Sequence, residues 1–177
     1  MQAPFGTTGL EVPRIIFGTS CLGNLYRALS DRTRHDIVRA WFTHVSAPVV
    51  ADTAGKYGAG LALEVIGREL HALSVAPADI IISNKLGWLR VPLKGPEPQF
   101  EPGAWAGLEH DAVQEISEAG IMRCWDQGCE LLGGRYTPRL VSVHDPDEYL
   151  AAAGDPDERK LRWDDLLGAY ATLARLR

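Results

Sequence analysis

The chain has 177 residues, of which 46% are hydrophobic and 23% are charged, a composition typical of a globular protein and not of a disordered one. Its formal net charge of −5 argues against a nucleic-acid binder or a protein that binds anionic membranes. No apolar run approaches the roughly 18–20 residues that cross a bilayer, and the N-terminal residues lack the pattern of a signal peptide. Three cysteines, an odd number, favour reduced thiols and a cytoplasmic protein over a disulfide framework.

Strand-like segments alternate with amphipathic helical patterns along the chain. A short β-hairpin is predicted first, at residues 4–13, where two glycines bracket a pair of threonines. The strand-like segments that follow are residues 14–20, 48–54, 79–86 and 139–145. Their nearly continuous apolar character is typical of parallel strands that are covered on both faces.

Each of these strands is followed by residues with helical spacing. The apolar faces comprise Ile37, Val38, Trp41 and Val45; Leu63, Ile66, Leu70 and Leu73; Ile121, Cys124, Trp125, Gly128 and Leu132; and Leu166, Tyr170, Leu173 and Leu176. Ser117 is predicted to cap the third helix, and residues 155–162 to form a solvated approach to the fourth. The alternation predicts right-handed crossovers and an α/β fold.

Two further segments are predicted as loops. Residues 88–111 contain four prolines and form a long loop in this interpretation, and residues 145–147 begin a shorter one. Because loops of such length in a compact domain usually cover or form a binding site, residues 88–111 are predicted to lie over an active site.

Titratable residues stand at or near the ends of three predicted strands. Asp52, Lys85 and His144 occupy these positions, and Tyr57 follows Asp52 in a glycine-flanked loop. Sites in parallel α/β proteins lie at the carboxyl ends of the strands, so these four side chains are predicted to converge. Taken singly, each has an ordinary explanation as a cap, an exposed lysine, a semi-buried histidine or a packing aromatic. Agreement at three strand ends favours a site, because a buried charge is costly without a partner.

The chemistry of such a group is that of an acid–base site. A free tyrosine titrates near pH 10, and an adjacent lysine ammonium lowers that pKa. An aspartate paired with the lysine keeps it charged, while a histidine can position a carbonyl oxygen. The tyrosine could then protonate an alkoxide that forms from a carbonyl, or deprotonate an alcohol in the reverse direction.

Four motifs carry a resemblance to one family. The segments GTTGLEVPRIIFGTS, DTAGKYG with VIGREL after it, ISNKLG and LVSVHDPDEY resemble, in order, the first hairpin and strands of the aldo-keto reductases. This resemblance implies an α/β fold of the (β/α)8 TIM-barrel type. A complete barrel takes roughly 250 residues, so residues 1–177 are expected to be the N-terminal half of a single barrel domain, with the hairpin and about four β/α units. A final helix without a C-terminal cap agrees with that expectation.

The resemblance also implies a role for each site residue. Tyr57 would be the proton donor, and Lys85 would lower the pKa of Tyr57. Asp52 would hold Lys85, and His144 would orient the substrate carbonyl. The hydride would come from NADP or NAD, whose nicotinamide end would lie near Asp52 and the first-strand residues Gly18, Thr19 and Ser20. Most other contacts to this cofactor are expected outside these residues.

The long loop and the HDPDEY ending of the fourth strand most resemble the branch that oxidises free sugars, such as L-fucose or other aldoses, at C1. A small carbonyl compound or a sugar is therefore the expected substrate, interconverted with an alcohol or a lactone. Trp88 and Trp105, in or next to the loop, are candidates to stack on a sugar ring, with plain packing as an equal alternative.

Two other functions remain open from the residues. Lys85 near Asp52 and Tyr57 could form a Schiff base, which would make the protein a lyase. A half-barrel could instead be catalytically inactive and self-associate through its open sheet edges. The histidines show no metal-binding spacing, so no metal site is predicted.

Overall fold

The structure is a computed structural model that describes residues 2–176. Its strands are β1 (Gln2–Pro4), β2 (Glu11–Pro13), β3 (Phe17–Gly18), β4 (Val49–Ala54), β5 (Ile80–Leu86), β6 (Trp88–Pro92), β7 (His110–Gln114) and β8 (Leu140–Val143). Its helices are α1 (Asp31–His44), α2 (Leu61–Ala72), α3 (Glu118–Leu131), α4 (Pro146–Ala151) and α5 (Pro156–Arg175). Short 3-10 turns occupy Ser20–Gly23 and Pro77–Asp79.

The main sheet joins β3, β4, β5 and β8 in that order, and all of these strands are parallel. Helices α1, α2 and α3 lie in the connections between successive strands. Strands β1 and β2 form a separate antiparallel hairpin, as predicted. The predicted α/β architecture of consecutive strand–helix units is therefore confirmed.

The strands of the main sheet bury side chains on both faces, which explains their nearly continuous apolar sequence. Val49 and Ile80 pack with α1 and α2 in the largest hydrophobic cluster. Their neighbours Val50 and Ile81 point the other way and pack on Val12 of β2. The hairpin thus closes one end of the inner face of the sheet.

Side chains at the helix starts agree with the sequence pattern. Ser117 accepts a hydrogen bond of 3.0 Å from the backbone N–H of Gly120, which confirms the predicted cap of α3. Residues 155–162, however, are not an approach to the last helix, because Asp155 caps α5 and the helix begins at Pro156. Residues 145–147 likewise begin α4, where proline suits the first helical position and the acidic residues suit the N-terminal end of the helix dipole.

The predicted first strand, residues 14–20, is much shorter in the structure. Only Phe17 and Gly18 pair with β4, because β3 is an edge strand and the chain enters a 3-10 turn at Ser20. The predicted loop at residues 88–111 is wrong at both ends. Strands β6 and β7 pair antiparallel from Trp88 opposite Gln114 to Pro92 opposite His110, and leave residues 93–109 as the connection.

Part of the inner face of the sheet is open to solvent. Ile16, on this face, is 49% exposed. A cavity of about 350 Å³ lies here and reaches Gly18 and Asp52 at the carboxyl edge of the sheet. In the part of the chain that the structure describes, no helix is both long and apolar enough to cross a membrane.

We expect Gly67→Ala in α2 to destabilise the fold, although alanine is the better helix former. A Cβ at this position would lie 2.6 Å from the backbone carbonyl carbon of Leu132, too close for a contact with backbone. The clash should lower the free energy of unfolding by about 1–3 kcal/mol in urea denaturation.

Gly168→Ala in α5 is the matched control for Gly67→Ala. Its Cβ would meet Glu118 at 3.7 Å, an ordinary van der Waals distance. This change should stabilise the chain by about 0.5–1 kcal/mol through helix propensity alone. Equal effects of the two substitutions would contradict the packing of α2 on the segment after α3.

Candidate active site

Parallel pairing brings the predicted site residues to one edge of the sheet. Asp52 lies opposite Ser83 in the register of β4 and β5, and Lys85 lies opposite Ala54. Tyr57 lies in the loop after β4, which ends at Ala54, and His144 follows β8 directly. All four side chains predicted from the sequence therefore stand at the carboxyl edge, as expected.

The amine of Lys85 is the centre of the group. It donates to the carboxylate of Asp52 and to the hydroxyl oxygen of Tyr57, at 3.0 Å from the latter. The backbone carbonyl of Thr53 lies 3.5 Å from the same nitrogen. Three acceptors around one nitrogen suit an ammonium, which has three donors and no acceptor. A positive charge thus lies beside the phenol oxygen, with a carboxylate to balance it.

The position of Tyr57 depends on a tight backbone loop. Its N–H donates to the carbonyl of Ala54 at 3.1 Å. The backbone of Gly23 packs directly on that of Tyr57, and a Cβ on this glycine would lie 2.6 Å from the carbonyl carbon of Tyr57. The Tyr57 ring meets the imidazole of His144 edge-on at 5.8 Å and the indole of Trp105 at 6.1 Å between ring centroids. The ring is thus confined from several sides.

His144 is buried, with 5% of its surface exposed. Burial is the main cause that lowers its pKa to about 4, and the cations Lys56 and Lys85 add to that effect. The carboxylate of Asp145, 3.3 Å from Nε2, acts in the opposite direction. The imidazole is therefore neutral at neutral pH. Its Nδ1 is buried and has no hydrogen-bond partner among the described residues.

A cavity of about 410 Å³ opens in front of Tyr57 and His144. Its wall includes residues that the sequence analysis did not single out: Lys56, Glu101, Asp145 and Glu148. The ammonium of Lys56 lies within 3.4 Å of a carboxylate oxygen of each of the three acids. Two of these residues could have been found from the sequence, because Lys56 directly precedes Tyr57 and Asp145 directly follows His144. The position of Glu101 in the long connection carried no such signal.

The remaining predicted site residues are divided between the site and its support. Ser20 and Trp105 line the cavity in front of Tyr57, whereas Gly18 lies at the cavity of the inner face. Thr19 is buried, and both its hydroxyl and its N–H donate to the carbonyl of Asp52, at 2.9 and 3.1 Å. Its side chain therefore ties the segment just after β3 to β4.

Trp88, a candidate to stack on a substrate with packing as the alternative, does not line the cavity in front of Tyr57. As a residue of β6 it packs on Phe100 at 5.9 Å between ring centroids. The ammonium of Lys56 lies 5.1 Å from the centroid of the Trp88 ring. The indole therefore supports the wall of the site from behind, which is the packing alternative.

Among residues 2–176, no three His, Cys, Asp or Glu side chains are grouped so that they could hold a metal ion.

The lowered pKa of His144 predicts a pH dependence of stability. That pKa is about 4 in the folded chain and about 6.5 for an unfolded histidine, so the unfolded chain binds more protons between these values. The contribution to stability is fully present above about pH 6.5 and is lost as the pH falls toward 4. The free energy of unfolding, measured by urea denaturation at pH values from 7 to 4, should therefore fall with decreasing pH. His144→Asn should remove the part of this fall that comes from the imidazole. His71→Asn, at an exposed position of α2, should keep it.

Comparison with known proteins places this geometry in a family. Residues 14–176 match the sequence model of the Aldo/keto reductase family. Pyridoxal 4-dehydrogenase of Microbacterium luteolum is 28% identical over 183 residues, which cover 97% of this chain and 50% of the relative. D-threo-aldose 1-dehydrogenase of a Pseudomonas species is 29% identical over 153 residues, which cover 80% of this chain and 42% of the relative. The chain thus spans about half the length of the curated relatives it matches.

Solved structures agree with the fold. A structure described as an aldo-keto reductase of Pseudomonas aeruginosa matches with a TM-score of 0.61 at 22% identity, over 99% of this chain and 54% of that protein. The four parallel β/α units therefore correspond to about half of a TIM barrel, as the resemblance implied. Because the family model matches most of the sequence and the fold agrees, this chain belongs to the aldo/keto reductase family.

Proposed function

We propose that the protein is an NAD(P)-dependent oxidoreductase that interconverts a carbonyl compound and an alcohol, or a sugar and its lactone at C1. One observation carries this proposal. The ammonium of Lys85 bridges the carboxylate of Asp52 and the hydroxyl of Tyr57 at the edge of a cavity that also contains His144. A tyrosine that has a fixed cation behind it and a cavity in front of it is suited to general acid–base catalysis.

In the reductive direction the hydroxyl of Tyr57 donates its proton to the substrate oxygen as that oxygen gains negative charge. The Lys85 ammonium, 3.0 Å from the phenol oxygen, stabilises the charge that remains there. Asp52 keeps this ammonium in place and balances it. Neutral His144, with its ring edge-on to Tyr57, serves as a second donor to the substrate oxygen. In the oxidative direction the same groups remove the proton from the alcohol.

NADP or NAD is the cofactor that this proposal requires, since a bound nicotinamide supplies the hydride that no side chain can provide. The residues present fit its nicotinamide end. Gly18 has no side chain, a Cβ there would meet nothing within 4 Å, and the cavity beside it reaches Asp52. An aldo-keto reductase of Klebsiella pneumoniae that shares the fold, with a TM-score of 0.51, was solved in complex with NADPH.

The proposed substrate is a small carbonyl compound or a sugar. The names of the two curated relatives describe dehydrogenases that act on pyridoxal and on D-threo-aldoses. Trp105, which lines the cavity beside Tyr57, is the aromatic residue that we propose to contact the substrate ring. Residues 1–177 would then be the N-terminal part of one barrel domain, and residues 93–109 the part of the long segment that covers its substrate.

The other hypotheses have less support. A Schiff-base lyase needs a free amine on Lys85, whereas this nitrogen donates to Asp52 and Tyr57. Self-association stays a proposal, supported by the exposed Ile16 on the inner face of the sheet.

Tyr57→Phe tests the proposed role of the hydroxyl. Turnover of aldoses or aldehydes by the full-length protein is measured from the absorbance of NAD(P)H. We expect the substitution to lower turnover by about 10²–10⁴-fold, the usual contribution of a general acid. Cofactor affinity should change little, because the ring is retained. Tyr170→Phe, at an exposed site on α5, is the control and should keep full turnover. Turnover retained by Tyr57→Phe would exclude Tyr57 as the proton donor.

The 177-residue chain alone should show no measurable affinity for NADP(H) or NAD(H). The reason is that most contacts to the cofactor are proposed to lie outside these residues. Titration of the purified chain with NADPH, followed by the fluorescence of the reduced nicotinamide, measures this. A dissociation constant of about 1 µM, equivalent to roughly 8 kcal/mol of binding free energy, would contradict the prediction.

A further inference from the structure

Lys56 joins two walls of the cavity through charges that the catalytic proposal does not use. We propose that Lys56 is a positioning residue, whose ammonium holds Trp105 through Glu101 and His144 through Asp145 on two sides of the Tyr57 hydroxyl. This inference rests on the proposed function for its purpose, but its contacts stand independently of any substrate or cofactor.

The surroundings of Lys56 are unusual for a lysine. It is only 5% exposed, and its nitrogen lies 2.8 Å from Glu101, 3.2 Å from Asp145 and 3.4 Å from Glu148. Burial alone would lower the pKa of Lys56, yet hydrogen bonds to Glu101 and Asp145 outweigh burial and raise it. The group therefore remains an ammonium, and one cation binds three carboxylates from two segments of the chain, Glu101 in the long connection and Asp145 and Glu148 at the start of α4.

The first wall is the segment that covers the cavity. Glu101 uses both of its carboxylate oxygens, since Oε1 pairs with Lys56 and Oε2 accepts the indole N–H of Trp105 at 2.8 Å. The backbone of Glu101 adopts a φ of 45°, which is uncommon for a residue other than glycine. The two side-chain contacts therefore stabilise a backbone conformation that a free chain rarely adopts. The chain of contacts from Lys56 through Glu101 therefore sets where Trp105 lies against Tyr57.

The second wall is the end of β8. One carboxylate oxygen of Asp145, Oδ2, lies 3.2 Å from the Lys56 ammonium and 3.3 Å from Nε2 of His144. At this distance the Asp145 carboxylate lies against the imidazole and acts on it through its charge. Because Lys56 pairs with the same carboxylate, it holds Asp145 against His144, and the two charges act on the pKa of the imidazole in opposite directions.

Lys56→Met is the principal test, because methionine retains most of the apolar stem and removes the charge. Hydrogen–deuterium exchange of residues 99–107 in the purified 177-residue chain should become about tenfold faster or more, as Glu101 is released. Lys56→Arg, which retains a cation, should restore most of the protection. Arg162→Met is the matched control, since Arg162 also pairs with an acid, Glu158, and with the carbonyl of Tyr149, but does not line the cavity.

The pKa of His144, measured by NMR titration of its imidazole, supplies a readout that general loosening would not produce. Asp145, Glu101, Lys56 and Lys85 act electrostatically on this imidazole, and the ring of Tyr57 packs on it. Removal of the Lys56 cation should raise the pKa. Removal of a carboxylate charge in Glu101→Gln should lower it, while this change also speeds exchange in residues 99–107. Arg162→Met should leave the pKa unchanged.

Several results would overturn the inference. Unchanged exchange of residues 99–107 in both Lys56→Met and Glu101→Gln would show that Lys56 does not hold the covering segment. Shifts of the His144 pKa in the same direction in the two variants, or equal changes in Arg162→Met, would show a general structural effect. Should Lys56→Met fail to fold, Glu101→Gln provides both readouts alone. None of these measurements requires turnover, so their failure and the failure of the Tyr57→Phe test are distinguishable.

Discussion

Parallel pairing of β4 with β5 is the constraint on which the candidate site depends. In a parallel ladder the strands end at the same edge of the sheet, so residues far apart in the chain are brought side by side. Asp52 and Lys85 are separated by more than thirty residues in sequence, and the register places them within reach of a direct ion pair. The hydroxyl of Tyr57 joins the same group, because it accepts a hydrogen bond from the ammonium that the ion pair fixes in place.

Burial and charge compensation act together throughout this edge of the sheet. A charge removed from water is costly unless hydrogen bonds and opposite charges surround it. Lys85 meets this requirement with Asp52, and Lys56 meets it with acids from the covering segment, the end of β8 and α4. His144 meets it differently, since it is buried in the neutral form and its pKa falls to about 4. The site thus contains two ammonium groups, those of Lys56 and Lys85, and one neutral imidazole, that of His144.

The fold supports this chemistry with an apolar frame on both sides of the sheet. Helices α1 and α2 bury the outer face, and the hairpin of β1 and β2 closes one end of the inner face. The rest of the inner face is partly open, and the chain spans about half the length of its relatives. The side chains proposed for proton transfer are thus all present in a chain that spans about half the length of its relatives.

Much of the fold and the core of the site could be predicted from the sequence alone. The apolar runs around Val49 and Ile80 predict buried parallel strands, and titratable residues at the ends of several such runs together predict a strand-end site. Asp52, Tyr57, Lys85 and His144 were identifiable for that reason, together with the motifs shared with aldo-keto reductases. Ser117 was identifiable as a cap because its signal is local.

The remainder depended on contacts between distant segments, which local patterns do not encode. The β6–β7 hairpin was hidden by the prolines around it, and α4 was hidden by its short length. The indole of Trp88 packs on Phe100 and does not line the cavity, whereas Trp105 lines it and donates a hydrogen bond to Glu101. The role of Lys56 was set in the same way, since its partners lie 45 to 92 positions further along the chain and only packing brings their charges together.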